Sequence, residues 1–174
     1  MALRKIFKNA TTSQAAVHEA LAFVFTQELL LPSDHVFIVA PWISNISIFD
    51  NRHGGFTPLN PEWPRADIHL VEVLATLATR GSRLHVHVGP DSHNHYFESR
   101  LKEALADAGV SGQCCWKTHR HLHNKGILTD QVLVSGSMNF TRNGVRILDE
   151  SVDICFAPDI VGAARTHFES YEYT

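Results

Sequence analysis

Cysteine is scarce in this chain: Cys114, Cys115 and Cys155 are the only three in 174 residues. Two of them are adjacent, which suits neither a CxxC zinc knuckle nor a disulfide framework, so reduced, buried thiols are expected. No apolar run reaches the 18 residues a membrane-spanning helix needs. The opening MALRKIFKNATTSQ has basic residues but no hydrophobic stretch before a cleavage site, so no signal peptide is read there. An excess of positive charge is also missing. Fifteen Lys and Arg stand against 18 Asp and Glu, a formal charge of −3, which gives no global pull toward nucleic acid or acidic membranes. Internal repeats, low-complexity segments and linkers are absent. These absences point to a cytoplasmic protein with no stable membrane anchoring and one domain over 1–174. The 44 % hydrophobic and 19 % charged content fits a folded globule with a real core.

The chain is unusually rich in histidine, with 12. It also alternates apolar stretches of helical and strand period. An amphipathic helix is predicted from about Thr12 to Leu31, with Thr12 or Ser13 as cap. His35–Ile43 reads as a strand buried on both faces, hence part of a mixed or parallel central sheet. Residues 44–65 read as a long loop anchored by Phe49, Phe56 and Trp63, either a substrate lid or a dimer contact. A helix over Asp67–Thr79, a strand over Arg83–Val88, a helix over Asn94–Ala108 and a strand from Gln113 follow. His119–Leu128 and Gln131–Ser135 form a predicted hairpin turning at Thr129-Asp130, which sets His123 opposite Gly136. Asp149–Phe156 is a strand and Pro158–Tyr171 a closing helix. The order describes an α/β protein, a mixed central sheet flanked by helices.

The chemistry concentrates between His119 and Glu150. On a strand, alternation would put His119, His121, His123 and Lys125 on one face. The hairpin would then bring Ser137 and Asn139 close by. An imidazole, an ammonium, a hydroxyl and an amide suit a tetrahedral anion such as a phosphodiester. Lysine neutralises oxygen charge, the amide and hydroxyl donate to oxygen, and the imidazole attacks phosphorus or moves a proton. The three histidines in a row also suit Zn²⁺, but Lys125 next in the row opposes a cation, so no metal and no cofactor are expected. His121 is read as lining the phosphate site and Arg142, with Arg146, as touching flanking phosphates. His85 and His87 are read as sheet-surface residues. Trp42, Phe49, Phe56 and Trp63 are read as core or dimer anchors before base-stacking residues.

The pattern His123-x-Lys125-x4-Asp130 followed by Gly136-Ser137-x-Asn139 resembles the HKD motif of the phospholipase D superfamily. It is most similar to the single-motif, Nuc-like bacterial phosphodiesterases, some of which accompany DNA-modification or defence systems. Five residues separate Asp130 from Gly136 where the family usually has six, and Gly136 sits where a turn can absorb the difference. The resemblance implies a phospholipase D-like sandwich and a site built from two motifs. In it, one histidine forms a phosphohistidine and the other protonates the leaving group. It implies that Lys125 and Asn139 hold non-bridging oxygens, that Ser137 supports the phosphate or the histidine, and that Glu150 orients the imidazole. Asp130 is read as structural, bonding local backbone. With one motif per chain, a homodimer is expected. The implied activity is metal-independent phosphodiester hydrolysis, with DNA as the expected substrate. The alternatives are a phospholipase D-type lipid hydrolase and a catalytically silent nucleic-acid-binding subunit.

Overall fold

The computed structural model describes residues 3–9, 14–146 and 148–173. Its elements, in chain order, are β1 (Leu3–Lys8), α1 (Gln14–Leu30), β2 (His35–Ala40), β3 (Ser47–Asp50), β4 (Asp67–His69), α2 (Leu70–Thr79), β5 (Arg83–Val88), α3 (His93–Asp107), β6 (Cys114–Thr118), β7 (Gly126–Leu128), β8 (Leu133–Gly136), α4 (Arg142–Arg146), β9 (Glu150–Cys155) and α5 (Pro158–Glu169). Short 3₁₀ turns lie at Ser111–Gln113 and Ser170–Tyr173. Seven strands make one mixed sheet in the order β1-β9-β8-β7-β2-β5-β6. Strands β2, β5 and β6 run parallel, and the hairpin and β9 add antiparallel partners. This is the α/β sandwich the sequence predicts.

The alternation of β2 explains both layers. Val36, Ile38 and Ala40 join Val17, Leu21, Val24 and Phe25 of α1 and the apolar face of α2 in the larger core. Phe37 and Val39 point the other way and pack with Leu122, Leu128, Val161 and Phe168 under α5. A strand buried on both faces needs apolar residues at every position, which HVFIVA supplies.

Several boundaries differ from the predicted ones. Strand β1 occupies LRKIFK, whose three basic and three apolar residues read as a polar leader. Only Ile6 and Lys8 of it turn inward, and backbone pairing with β9, from Leu3↔Cys155 to Lys8↔Glu150, defines it. Thr12 and Ser13, predicted to cap α1, lie outside the described residues. The 44–65 segment is not an open loop. Its first part is β3, which pairs with β4, so α2 begins at Leu70 rather than Asp67. Phe49, Phe56 and Trp63 stack on one another at centroid distances of 4.5 and 5.6 Å, and Phe49 and Trp63 belong to the core. Cys155 is buried, whereas Cys114 and Cys115 are only partly so, and all three are free.

The hairpin is the largest correction. Residues 119–125 form no strand; β7 keeps only Gly126–Leu128. The register is Gly126↔Ser135, Ile127↔Val134 and Leu128↔Leu133. The turn therefore spans four residues, closed by Thr129 N–H donating to Val132 O, while Thr129 Oγ1 accepts from the Gln131 and Val132 amides. This shifts the predicted pairing by two residues. An even shift keeps every side chain on its face, but His119, His121, His123 and Lys125 do not form one row.

Asp130 binds far from its own turn. Its Oδ2 accepts from Asp34 N–H at 2.8 Å, its Oδ1 takes Arg165 at 2.6 Å, and its own N–H donates to Ser33 Oγ at 3.0 Å. The local backbone bonding predicted for it is replaced by a tie between the hairpin, the α1–β2 connection and α5. At the hairpin's other end, Gly136 has φ +145°, and a Cβ there would lie 2.0 Å from Ser151 O. Both the conformation and the contact demand glycine. Gly136→Ala is expected to destabilise the fold by about 3 kcal/mol or more, through backbone strain plus displacement of β9. Urea unfolding measures it, and a change under about 1 kcal/mol would mean that this junction yields freely.

Candidate functional site

The residues singled out from the sequence fall around the ends of β7, β8 and β9. His123 and His121 are exposed on the segment that precedes β7, and Lys125 is half-buried. Lys125 Nζ donates to His123 O at 2.8 Å, which folds the lysine back beside the histidine. Both line a hollow of about 290 Å³ with Trp42, Asp91, His119 and Leu122. Ser137 follows Gly136 out of β8. Its hydroxyl donates to Glu150 Oε2 and accepts the Ser151 amide at 3.0 Å, and its amide donates to Ser151 O at 3.1 Å. Ser137 and Glu150 line a second, shallow hollow with Phe7, Lys8 and Asp149. Glu150 thus meets a hydroxyl here, where the motif resemblance implies an imidazole. Asn139 Oδ1 is buried and makes no hydrogen bond among the described residues. The carbonyl of the next residue, Phe140, receives the Ser44 amide at 2.8 Å, which ties this segment to the end of β2. Arg142 stands apart at the start of α4, on the wall of a hollow of about 580 Å³ with Ser44, His93 and Arg100.

Sequence reasoning missed two neighbours, Lys8 and Trp42. Lys8 pairs with Glu150 across β1 and β9 and is almost fully buried. Burial pushes its ammonium pKa down, against the pull of Glu150 and Asp149. A lysine in an unrecognised strand gave no signal. Trp42 stands at the mouth beside His123, its Nε1 donating to Asp91 Oδ2 at 3.0 Å. His119 was read as a surface or phosphate-lining residue, and it also ends a buried chain of polar groups.

That chain corrects the reading of His85 and His87 as surface residues; both are buried. His85 Nδ1 and His87 Nε2 lie 2.7 and 3.1 Å from Glu172 Oε1 in the C-terminal 3₁₀ turn. His35 Nδ1 lies 2.9 Å from His85 Nε2, and His119 Nε2 lies 2.9 Å from His87 Nδ1. One tautomer set satisfies all four contacts. His85 and His87 both donate to an ionised Glu172, and each accepts from its outer histidine. Cys115 Sγ adds a donor to Glu172 Oε2 at 3.3 Å, and Lys117 Nζ donates to Glu172 O. Burial pushes His87 down to about 4 and lowers His85, in both cases against the pull of Glu172. Burial alone would raise the carboxyl of Glu172; hydrogen bonds from His85 and Cys115 outweigh it and hold the group below its usual range. Among the described residues, no group of three or more His, Cys, Asp or Glu is placed to hold a metal ion. No helix among them is long and apolar enough to cross a membrane.

The family described as cardiolipin synthase, PLD-like domain matches residues 59–171, well over half of the chain. No curated protein matches it significantly. Nuc from Salmonella typhimurium, a phospholipase D family member, has a similar structure. Its TM-score is 0.58 at 13 % identity, over 97 % of this chain and 92 % of that one. NucT from Helicobacter pylori gives the same TM-score and identity over 97 % and 95 %. The phosphatidylserine synthase of Haemophilus influenzae is 18 % identical with a TM-score of 0.58, covering 98 % of this chain but 38 % of that one. At such identities the structural likeness shows a shared fold. The family match is what supports a phosphodiesterase-type, phosphoryl-transferring enzyme. The chain belongs to the PLD-like family of the phospholipase D superfamily.

The buried histidines give the fold an acid limit. His87 binds a proton in the unfolded chain below about 6.5 but in the folded one only below about 4. Between those values the unfolded state holds more protons, so stability falls as pH falls. His85 acts in the same direction. From pH 8 to pH 5, His87 alone is expected to cost about 1–2 kcal/mol. Urea midpoints across that range check it, and a flat profile would mean that the chain of imidazoles opens without cost.

Proposed function

We propose that this protein is a metal-independent phosphodiesterase, acting as a nuclease on DNA through a covalent phosphohistidine at a site shared by two copies of the chain. The observation that carries the reading is the pairing of His123 and Lys125 in one solvent-open hollow, within the HKD-like spacing of a PLD-like family member.

In this reading the imidazole of His123 attacks phosphorus. The P–N bond forms as the P–O bond to the leaving group breaks, and His123 of the partner subunit gives that oxygen its proton. Water then attacks the phosphohistidine, the partner's His123 takes the water's proton back, and the P–N bond breaks. Lys125 and Asn139 hold the non-bridging oxygens, His121 lines the phosphate site, and Arg142, in a separate hollow, meets a flanking phosphate. Asn139 serves here through its Nδ2 donors, since its Oδ1 can only accept and a non-bridging oxygen carries no proton to offer it. Ser137 links the phosphate region to Glu150, and Glu150 orients an imidazole once the two chains meet.

Cleavage of labelled single- and double-stranded DNA in excess EDTA is the direct test. Wild type is expected to cut, and His123→Ala to lose at least about 10³-fold, the scale of losing a nucleophile. Equal cleavage by both proteins sinks the assignment, and headgroup release from phospholipid vesicles without DNA cleavage moves it to lipids. Light scattering after size exclusion is expected to give twice the chain mass. A monomer at micromolar concentration would remove the second histidine on which the two-step chemistry depends.

A further inference from the structure

We infer that the substrate strand runs along a track leading from the His123–Lys125 hollow past Trp42 and Tyr96 to Arg100 and Arg146, and that this track admits an unpaired nucleic-acid strand in preference to a duplex. The inference rests on the nuclease reading above for the identity of the polymer, and on separate geometry for its path.

Three hollows follow the end of β2 and the start of α3: the second and third share lining residues, and the first and second are lined by close sequence neighbours, Trp42 and Ser44, Asp91 and His93. The first, with His123 and Lys125, has Trp42 and Asp91 on its wall. The second, of about 580 Å³, has Ser44 and His93 on its near side and Tyr96, Arg100 and Arg142 beyond. The third, of about 240 Å³, shares Asn45, His69 and Arg142 with the second and adds His18 and Arg146. Between the first two run two side-chain bonds. Trp42 Nε1 donates to Asp91 Oδ2 at 3.0 Å, and Ser44 Oγ lies 2.9 Å from His93 Nε2. The end of β2 is thereby joined to the start of α3, with Trp42 lining the first hollow and Tyr96 the second. Trp42 is 44 % exposed and Tyr96 is 69 % exposed. The tryptophan is held by its bond to Asp91 with its ring in solvent.

The chemistry of the walls selects the ligand. Arginines at 100, 142 and 146 and imidazoles at 18, 69 and 93 face the second and third hollows. The carboxylates there are Glu72, which accepts the His69 amide at 3.1 Å, and Asp67, which lies 3.9 Å from Arg52. The track therefore carries cationic groups although the whole chain has a formal charge of −3. Spaced guanidinium groups suit successive phosphates of a polymer. Acyl chains would need a continuous apolar wall, and Ser44, Asn45, His69 and the arginines interrupt the apolar side chains of Ile43, Tyr96 and Phe97. Aromatic rings open to solvent stack on bases only when the base faces are free, and in a duplex those faces are covered by neighbouring pairs.

Binding is measured by fluorescence anisotropy in the His123→Ala background, so that nothing is cut. The probes are labelled oligothymidylates of 4 and 16 nucleotides and a 16-base-pair duplex. The 16-mer is expected to bind at least tenfold tighter than the 4-mer and than the duplex. Tyr96→Ala is expected to weaken the 16-mer about tenfold, on the scale of one stacked base. Arg100→Glu with Arg146→Glu is expected to weaken it more than tenfold and to flatten the dependence of log Kd on log salt by about 1.4, the value for two phosphate contacts on a single strand. Arg100→Lys restores most of the affinity. These side chains are exposed, and a melting curve of each variant confirms the fold. Equal affinity for strand and duplex, an unchanged Kd in the variants, or no binding of the 16-mer overturns the track.

Hydrolysis of bis(p-nitrophenyl) phosphate by wild type in EDTA separates the two claims. If wild type turns that small diester over while the track variants bind as the parent does, the path is wrong and the phosphodiesterase stands. If the strand binds through these residues and neither the diester nor DNA is hydrolysed, the path stands and the catalytic reading falls.

Discussion

Gly126–Leu128 pairs with β2 on one side and β8 on the other, and a Cβ at Gly126 would lie 2.9 Å from the ring of Phe168 and 3.0 Å from Val134 O. That close approach lets α5 press on the sheet at the point where the strand direction changes. The parallel half, β2, β5 and β6, ends here and the antiparallel half begins. A three-residue strand gains little from its own hydrogen bonds, and it persists because every residue of it is buried between two layers. Lys125 leaves the sheet immediately before this strand and the turn tied by Asp130 leaves immediately after it. The position of the His123–Lys125 pair is therefore set by packing on both faces of the sheet, well away from the pair itself.

The two ends of this strand are treated differently. At the turn, Asp130 reaches Asp34 and Arg165 through one carboxylate, so the motif's aspartate acts as a fastener between three segments distant in sequence. At the site end, the chain is held by lighter means: a lysine folded onto a carbonyl, a hydroxyl on a carboxylate, and a ring on Asp91. The rigid part of the molecule lies beneath the site, and the groups offered to a ligand stand on short tethers above it.

Sequence legibility followed the range of the interaction responsible. HVFIVA is apolar at every position, and that pattern alone gives a strand buried on both faces. Helices α2 and α3 show their apolar faces in the same direct way. The His-Lys and Gly-Ser-x-Asn spacing was readable because it is local. LRKIFK was not, because its strand exists only through pairing with residues about 150 positions later. His119–Lys125 misled for a related reason. Histidine at every second position imitates a strand, but the backbone partner it needs stops at Ser135, opposite Gly126. His85 and His87 are polar letters in a buried strand, and Glu172, some 85 positions on, together with His35 and His119 makes their burial tolerable.

The pairing of β1 with β9 also has a consequence for synthesis. Lys8 leaves the ribosome about 140 residues before its partner Glu150. At ~5–20 residues per second, the first strand waits on the order of 10–30 s with its edge unpaired. During that interval Phe7 and Leu3 stand beside bare backbone donors and acceptors, a combination that invites pairing with a neighbouring nascent chain. Lys5 and Lys8, which carry charge on the waiting strand, act in that interval as guards against such pairing, and only at the end is Lys8 drawn into the protein.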